Sequence, residues 1–139
     1  MRIDWDLVRN ILLVVENEPS QSIGVGALHQ QLSVEISTLD YHLNVLKEKY
    51  LTVTKGSAVG VFIRQGFLHS NGVYEISGQN TDRRRVALTL EGHKFICDIA
   101  DESTWSKIKD VATDKGVGLT FDVIALIITT LIASIMSSG

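Results

Sequence analysis

Three adjacent arginines, Arg83, Arg84 and Arg85, form the densest block of positive charge in the 139-residue chain. Guanidinium forks grip phosphate oxygens well, so residues 79–85 are the best site for an anionic partner that the sequence offers. Arg64 and His69 stand nearby in sequence. Three arginines leading into a strand point to alternating faces, so at least one of them is expected outside. The competing reading is a solvated turn carrying a surface ion pair. Other chemistry-bearing residues do not combine. His29, His42, His69 and His93 lack metal-ligand spacing, and Glu91-Gly92-His93 lacks the second histidine of a zinc helix. Gly24-Val25-Gly26 is too short to cradle a phosphate, and isolated residues assemble no Ser-His-Asp set. The single cysteine, Cys97, excludes an internal disulfide and a thiolate cluster, and is expected to be a small buried or boundary residue. No enzyme, cofactor or metal centre is expected.

The elements that would position a polar site centre on residues 24–52. Val25, Leu28 and Leu32 share one helical face, and Leu39, Leu43, Leu46 and Tyr50 share another. Only Ser33 and Val34 separate the two periods, a gap that fits a tight turn. The pattern predicts helices over about 25–32 and 35–49, joined as a helix-turn-helix. In that docking mode the exposed N-terminal face of the second helix of the pair meets the major groove. That face carries Ile36, Ser37, Thr38, Asp40, Tyr41 and Asn44. Ser37 and Asn44 can bond base edges or phosphates, and Tyr41 can reach a phosphate. Glu35 and Asp40 bring negative charge to the same surface, which leaves open a solvated face with no DNA partner.

Leu32-Ser33-Val34 through Tyr41-His42-Leu43, continued by Leu46 to Leu51, resembles the bacterial winged-helix signature. Two departures stand out: Tyr50 replaces the usual Gly, and Tyr41 replaces a frequent Arg, so the customary bidentate guanine reader is missing. Leu88-Thr89-Leu90-Glu91-Gly92 resembles the run with which many such regulators close their wing, where the Thr caps a helix and the Gly lets backbones approach.

Around this core, Asp4 is a plausible cap for a helix over 4–17 whose stripe is Trp5, Val8, Ile11, Leu12 and Val15, with Arg9 off it. Pro19 stops that helix. Ile23 fits a short strand. Further β-like runs are Leu51–Thr54, Val59–Ile63, Val73–Ser77 and Arg85–Leu88, separated by KGSA, SNG and SGQNTD turns. Ser70-Asn71-Gly72 predicts a hairpin, and residues 55–84 exceed a simple wing. Another helix is expected over 103–115, capped by Ser103, with Trp105, Ile108 and Val111/Ala112 as its stripe.

The opening IDWDLVRNIL, the run LTLEGHKFI and the later DESTWSKIK resemble an uncharacterised family of small phage and prophage proteins. The match covers roughly residues 3–122 in preserved order. It implies a mobile-element origin and a winged-helix-like body, and carries no activity.

After Asp122 the chain holds no charge, and VIALIITTLIASIMSSG is apolar nearly all round, with Ala125, Thr129, Ala133 and Ser137 as a small-residue row. The preferred expectation is burial against a second subunit through Ile124, Ile127, Ile128, Leu131 and Ile135. Packing within one subunit and membrane insertion remain as alternatives, although the run is short for a bilayer span.

An apolar fraction of 45% and 21% charged residues describe a folded globular chain. A net charge of −3 argues against coating nucleic acid by bulk charge while permitting a local basic patch. Charges in MRIDWD sit where a secretory leader needs an apolar run, so a cytoplasmic location is expected. The expected fold is α+β: a winged helix-turn-helix with an enlarged β-wing over residues 1–116, then an apolar C-terminal helix over 117–139. The expected function is binding of double-stranded DNA as a homodimeric phage or prophage transcriptional regulator. Its rival is a winged module without DNA binding that inhibits a host protein, as an antirepressor might. Membrane attachment is the least favoured.

Overall fold

A computed structural model describes residues 1–47, 49–54, 73–76, 79–82 and 84–138, with the backbone alone for Thr54, for 73–76, for 79–82 and for 135–138. The chain is α+β and divides into two compact units, residues 1–96 and 97–139.

In the first unit, α1 spans Trp5–Asn17. The Asp4 carboxylate accepts from Leu7 N–H and satisfies one of the free amides at the helix start. Leu7, Val8, Ile11, Leu12 and Val15 bury the apolar face. Trp5, expected on that stripe, is only half-buried. Arg9 is buried instead, standing three residues before Leu12, where its long stem can cover apolar surface.

β1, Ile23–Gly24, leads directly into α2, Val25–Leu32. Ser33 then takes a left-handed conformation at φ 53°, and this turns the chain within three residues into α3, Ile36–Leu46. Helix α3 ends earlier than the Lys49 expected, because Lys47 leaves helical geometry with ψ 145°. The chain turns there into β2, Leu51–Thr54. After β3, Val73–Ile76, and β4, Gln79–Asp82, comes β5, Arg85–Leu88. The sheet order is β1-β5-β2, all antiparallel, with Ile23 opposite Val86 and Leu51 opposite Leu88. Strands β3 and β4 form a separate antiparallel pair, Val73 opposite Asp82. Residues 79–82 are expected as turn, since Gln79, Asn80 and Asp82 outweigh the single β-branched Thr81. The expected strand at 59–63 and the hairpin at 70–72 lie outside the described residues.

Thr89 caps α4, Leu90–Ile99, as expected: its hydroxyl accepts from Gly92 N–H at 3.0 Å. The same hydroxyl donates to Lys49 O, and Thr89 N–H donates to Tyr50 O at 3.1 Å. A Cβ on Gly92 would stand 2.0 Å from Tyr50 O, so only glycine permits this approach. The Tyr50 and Phe95 rings pack at 4.9 Å between centroids.

In the second unit, α5 spans Glu102–Asp114. Its cap is Asp101, which accepts from Ser103 N–H and Thr104 Oγ1, rather than the expected Ser103. Trp105, Ile108 and Ala112 are its buried stripe. Gly116 N–H donates to Thr113 O and Val117 N–H to Ala112 O, while Gly116 adopts φ 67°, so the helix closes with paired end carbonyls. Thr120 caps α6, Phe121–Ser138, by accepting from Val123 N–H at 3.1 Å. Helices α5 and α6 pack on each other.

Ile124, Ile127 and Ile128 are buried within this chain. These residues are also the ones expected at a dimer interface; in the single chain α5 and α6 pack on each other. Leu131 is half-buried, and the side chain of Ile135 lies outside the described set. The exposed face of α6 carries Leu126 (68% exposed) and Ile132 (47% exposed), with Ala125 and Thr129. Among the described residues no helix is long and apolar enough to cross a membrane.

Candidate functional site

The outward face of α3 is open within the first unit. Leu39, His42, Leu43 and Leu46 turn inward at spacings of three and four and are buried. The opposite positions therefore face out: Ser37 and Asn44 are exposed, and Tyr41, Asp40 and Thr38 are half-buried. Ile36 stands exposed at the helix start, next to the exposed carboxylate of Glu35.

His42 sets the pose of this helix. It is 1% exposed, yet both ring nitrogens are satisfied. Nε2 accepts from Asp4 N–H at 2.8 Å, and Nδ1 lies 2.8 Å from Thr38 O. A backbone N–H can only donate and a carbonyl can only accept, so the ring carries its proton on Nδ1 and donates it to Thr38 O. The imidazole thus joins α3 to the start of α1, and Thr38 contributes its carbonyl to the fold. Tyr41 meets the His42 ring edge-on at 5.3 Å. A histidine three residues after Leu39 falls on the buried stripe, a signal that sequence spacing already held.

The arginines have separate fates. Arg84 Nη2 stands 2.9 Å from Asp40 Oδ1, so the acidic residue on the outward face is paired with a cation. The Arg84 side chain is 17% exposed and that of Asp40 40%. The backbone of Arg84 is anchored as well, its carbonyl accepting from Val25 N–H at 2.9 Å. Arg85 turns the other way: Nε donates to Ser22 Oγ at 2.8 Å and Nη2 donates to Ser22 O at 2.9 Å. That fork straps β5 to the segment entering β1. Arg64 and Arg83 lie outside the described residues. Of the three arginines expected to offer phosphate contacts, the two described thus make one ion pair on α3 and one pair of hydrogen bonds to Ser22.

Elsewhere the chemistry is sparse. His93 Nδ1 and Glu16 Oε2 lie 2.9 Å apart at an exposed position beside a cleft that also holds Glu18, Ser20 and Gln21. The described residues contain no group of three His, Cys, Asp or Glu side chains able to hold a metal ion. Cys97 is exposed, against the expectation of a buried or boundary thiol.

No family model matches the chain, and no solved structure does. A protein of Haemophilus influenzae (strain Rd), described as uncharacterised, is 24% identical over 139 residues, covering 99% of this chain and 100% of the relative. The similarity runs end to end and takes in both compact units.

Proposed function

We propose that this chain is a winged helix-turn-helix protein that binds double-stranded DNA, with α3 entering the major groove. The observation that carries the reading is the open polar face of α3, held behind a three-residue turn from α2 by the buried His42. The order α1-β1-α2-α3-β2, closed by β5 between β1 and β2, supports it as well. Ser37, Tyr41 and Asn44 supply the donors and acceptors for base edges and phosphates. In this reading a second copy docks on the exposed face of α6, at Leu126 and Ile132. The role is transcriptional regulation, and the motifs shared with small phage and prophage proteins suggest a mobile-element setting in the cytoplasm.

A gel shift on DNA from the protein's own operon, run at two salt concentrations, tests the reading. Retardation that weakens steeply as salt rises supports it, since each neutralised phosphate releases counterions. No salt-sensitive retardation at micromolar protein rejects it.

One observation favours a rival. Glu35 and Asp40 place carboxylates on the very face that must approach a polyanion, as expected of a module that docks a host protein. Capture of a host protein that survives Ser37→Ala with Asn44→Ala, together with no duplex binding, selects that alternative.

A further inference from the structure

We infer that the cleft at the end of the middle strand is a docking site for an extended, basic peptide segment of another protein, which pairs its backbone with Leu88 and sets a cationic side chain against Glu18 and Glu16. The inference stands apart from the DNA-binding reading and uses none of the residues on α3.

The strand register opens the site. Val25 N–H donates to Arg84 O on one side of the β5 chain, and Thr89 N–H donates to Tyr50 O on the other. Backbone groups alternate along an antiparallel ladder, so Val86 and Leu88 turn theirs toward β1, while Arg85 and Ala87 turn theirs toward β2. Strand β2 accompanies β5 for its whole length, from Arg85 to Leu88. Strand β1 covers only Arg85 and Val86, because its pairing ends at Ile23. Leu88 N–H and C=O therefore point past the end of β1, and neither has a hydrogen-bond partner among the described residues. Just before Ile23, Ser22 gives both its hydroxyl and its carbonyl to the Arg85 fork, so the chain is tied there to a side chain and not to the sheet.

The space beyond β1 is a cleft of about 450 Å³ whose walls include Val15, Glu16, Glu18, Gln21, Leu88 and His93. An unpaired strand end beside such a space is the setting for strand addition, in which main-chain bonds supply affinity and flanking pockets supply selectivity. One residue of a visiting peptide can exchange both hydrogen bonds with Leu88, as the register lets Ile23 do with Val86. Charge selects the visitor. Glu16 Oε2 lies 2.9 Å from His93 Nδ1, which leaves the second carboxylate oxygen able to accept. Glu18 accepts from Ser20 N–H at 3.5 Å and pairs with no cation among the described residues. No described lysine or arginine lines the cleft, so an acidic segment gains nothing there and a basic one gains charge-assisted bonds.

The test uses the full chain and a fluorescein-labelled hexapeptide of alternating valine and arginine. Its controls are the same peptide with glutamate for arginine, and the arginine peptide N-methylated along its backbone. Binding is read by fluorescence anisotropy, and exchange of the Leu88 amide by NMR. In the free chain that amide is expected to exchange faster than the Ala87 amide, which faces Thr52 in the ladder, and the arginine peptide is expected to slow it severalfold. N-methylation is expected to weaken binding about threefold to tenfold through lost hydrogen bonds, and the glutamate peptide is expected not to bind. Glu16→Gln combined with Glu18→Gln, its folding checked by circular dichroism, is expected to weaken binding of the arginine peptide about threefold to tenfold. An N-methylated peptide that binds as tightly as its parent reduces the effect to charge attraction and overturns the inference. Undiminished binding by the doubly substituted chain overturns it as well, as does no binding of the arginine peptide at millimolar concentration. A Leu88 amide protected as well as that of Ala87 in the free chain also overturns it. Protection of Leu88 that grows with protein concentration in the absence of peptide seats a second copy in the cleft and rejects the peptide. Neither readout involves a duplex, so the docking site and the DNA reading fail separately.

Discussion

His42 and Asp4 are joined across 38 residues of chain by a hydrogen bond of 2.8 Å from the Asp4 amide to the imidazole Nε2. Because Nδ1–H also serves Thr38 O, the ring spends both polar atoms on fixing where α3 lies against α1. The outward angle of Ser37 and Asn44 follows from that placement. Replacing His42 with Ala opens a cavity and orphans the Asp4 amide in one step. A loss of about 2–4 kcal/mol is expected in urea denaturation. A loss below about 0.5 kcal/mol, the range of ordinary surface changes, would show that the ring does not hold the helix.

Gly92 lies close against the Tyr50 carbonyl, and its replacement is predicted to be costly for steric reasons alone. The added methyl of Gly92→Ala lands 2.0 Å from Tyr50 O, which is main chain and cannot swing aside. Forced displacement of this kind costs about 1–3 kcal/mol or more, despite the helix propensity gained by alanine. Thermal unfolding reads the effect, and a melting temperature equal to or above the parent's contradicts the packing described.

Arg85 is expected to behave as a strap and not as a phosphate ligand. Arg85→Ala loses two hydrogen bonds to Ser22 at an exposed site, for a destabilisation of about 0.5–1.5 kcal/mol. Its effect on duplex binding is expected to be a small, uniform weakening. A fall in salt slope of about one unit would place Arg85 at the phosphate backbone instead.

Helix α6 has two faces with different predicted responses. Ile128→Ala removes a buried side chain and is expected to cost about 2–4 kcal/mol. Leu126→Glu falls on the free face and is expected to leave helical content intact while shifting the molar mass in light scattering from dimer to monomer. A parent chain that is already monomeric, or a dimer indifferent to this change, removes α6 from the interface.

Much of this architecture was legible from local pattern. The apolar spacing of Leu39, Leu43 and Leu46 marks α3, Asp4 caps α1, and Thr89 with Gly92 announces both a cap and a close approach. Each of these signals is contained in a few consecutive residues. What escaped depends on partners far along the chain. The strand at Gln79–Asp82 is polar and gains its identity only by pairing with Val73–Ile76. Asp40 looked like a liability on α3 because its cation, Arg84, arrives 44 residues later. Charge cancellation between Arg84 and Asp40 leaves no periodic trace, whereas burial of His42 does. The apolar C-terminal segment is ambiguous for a related reason: hydrophobicity on every side cannot say which face meets α5.

Ser37 and Asn44 test the site without disturbing the fold. Both are exposed, so alanine at each is expected to change stability by less than about 0.5 kcal/mol. Together the two changes are expected to reduce duplex binding by about 1–3 kcal/mol. Undiminished affinity in the double variant would move the contact surface elsewhere.

The most direct measurement is amide chemical-shift mapping of the full chain titrated with a short duplex at low salt. The expected result is a contiguous set of perturbed amides over residues 36–44 and at Arg84, fading as salt is added. Perturbations confined to other surfaces, or none at all, would contradict the placement of α3 in the groove.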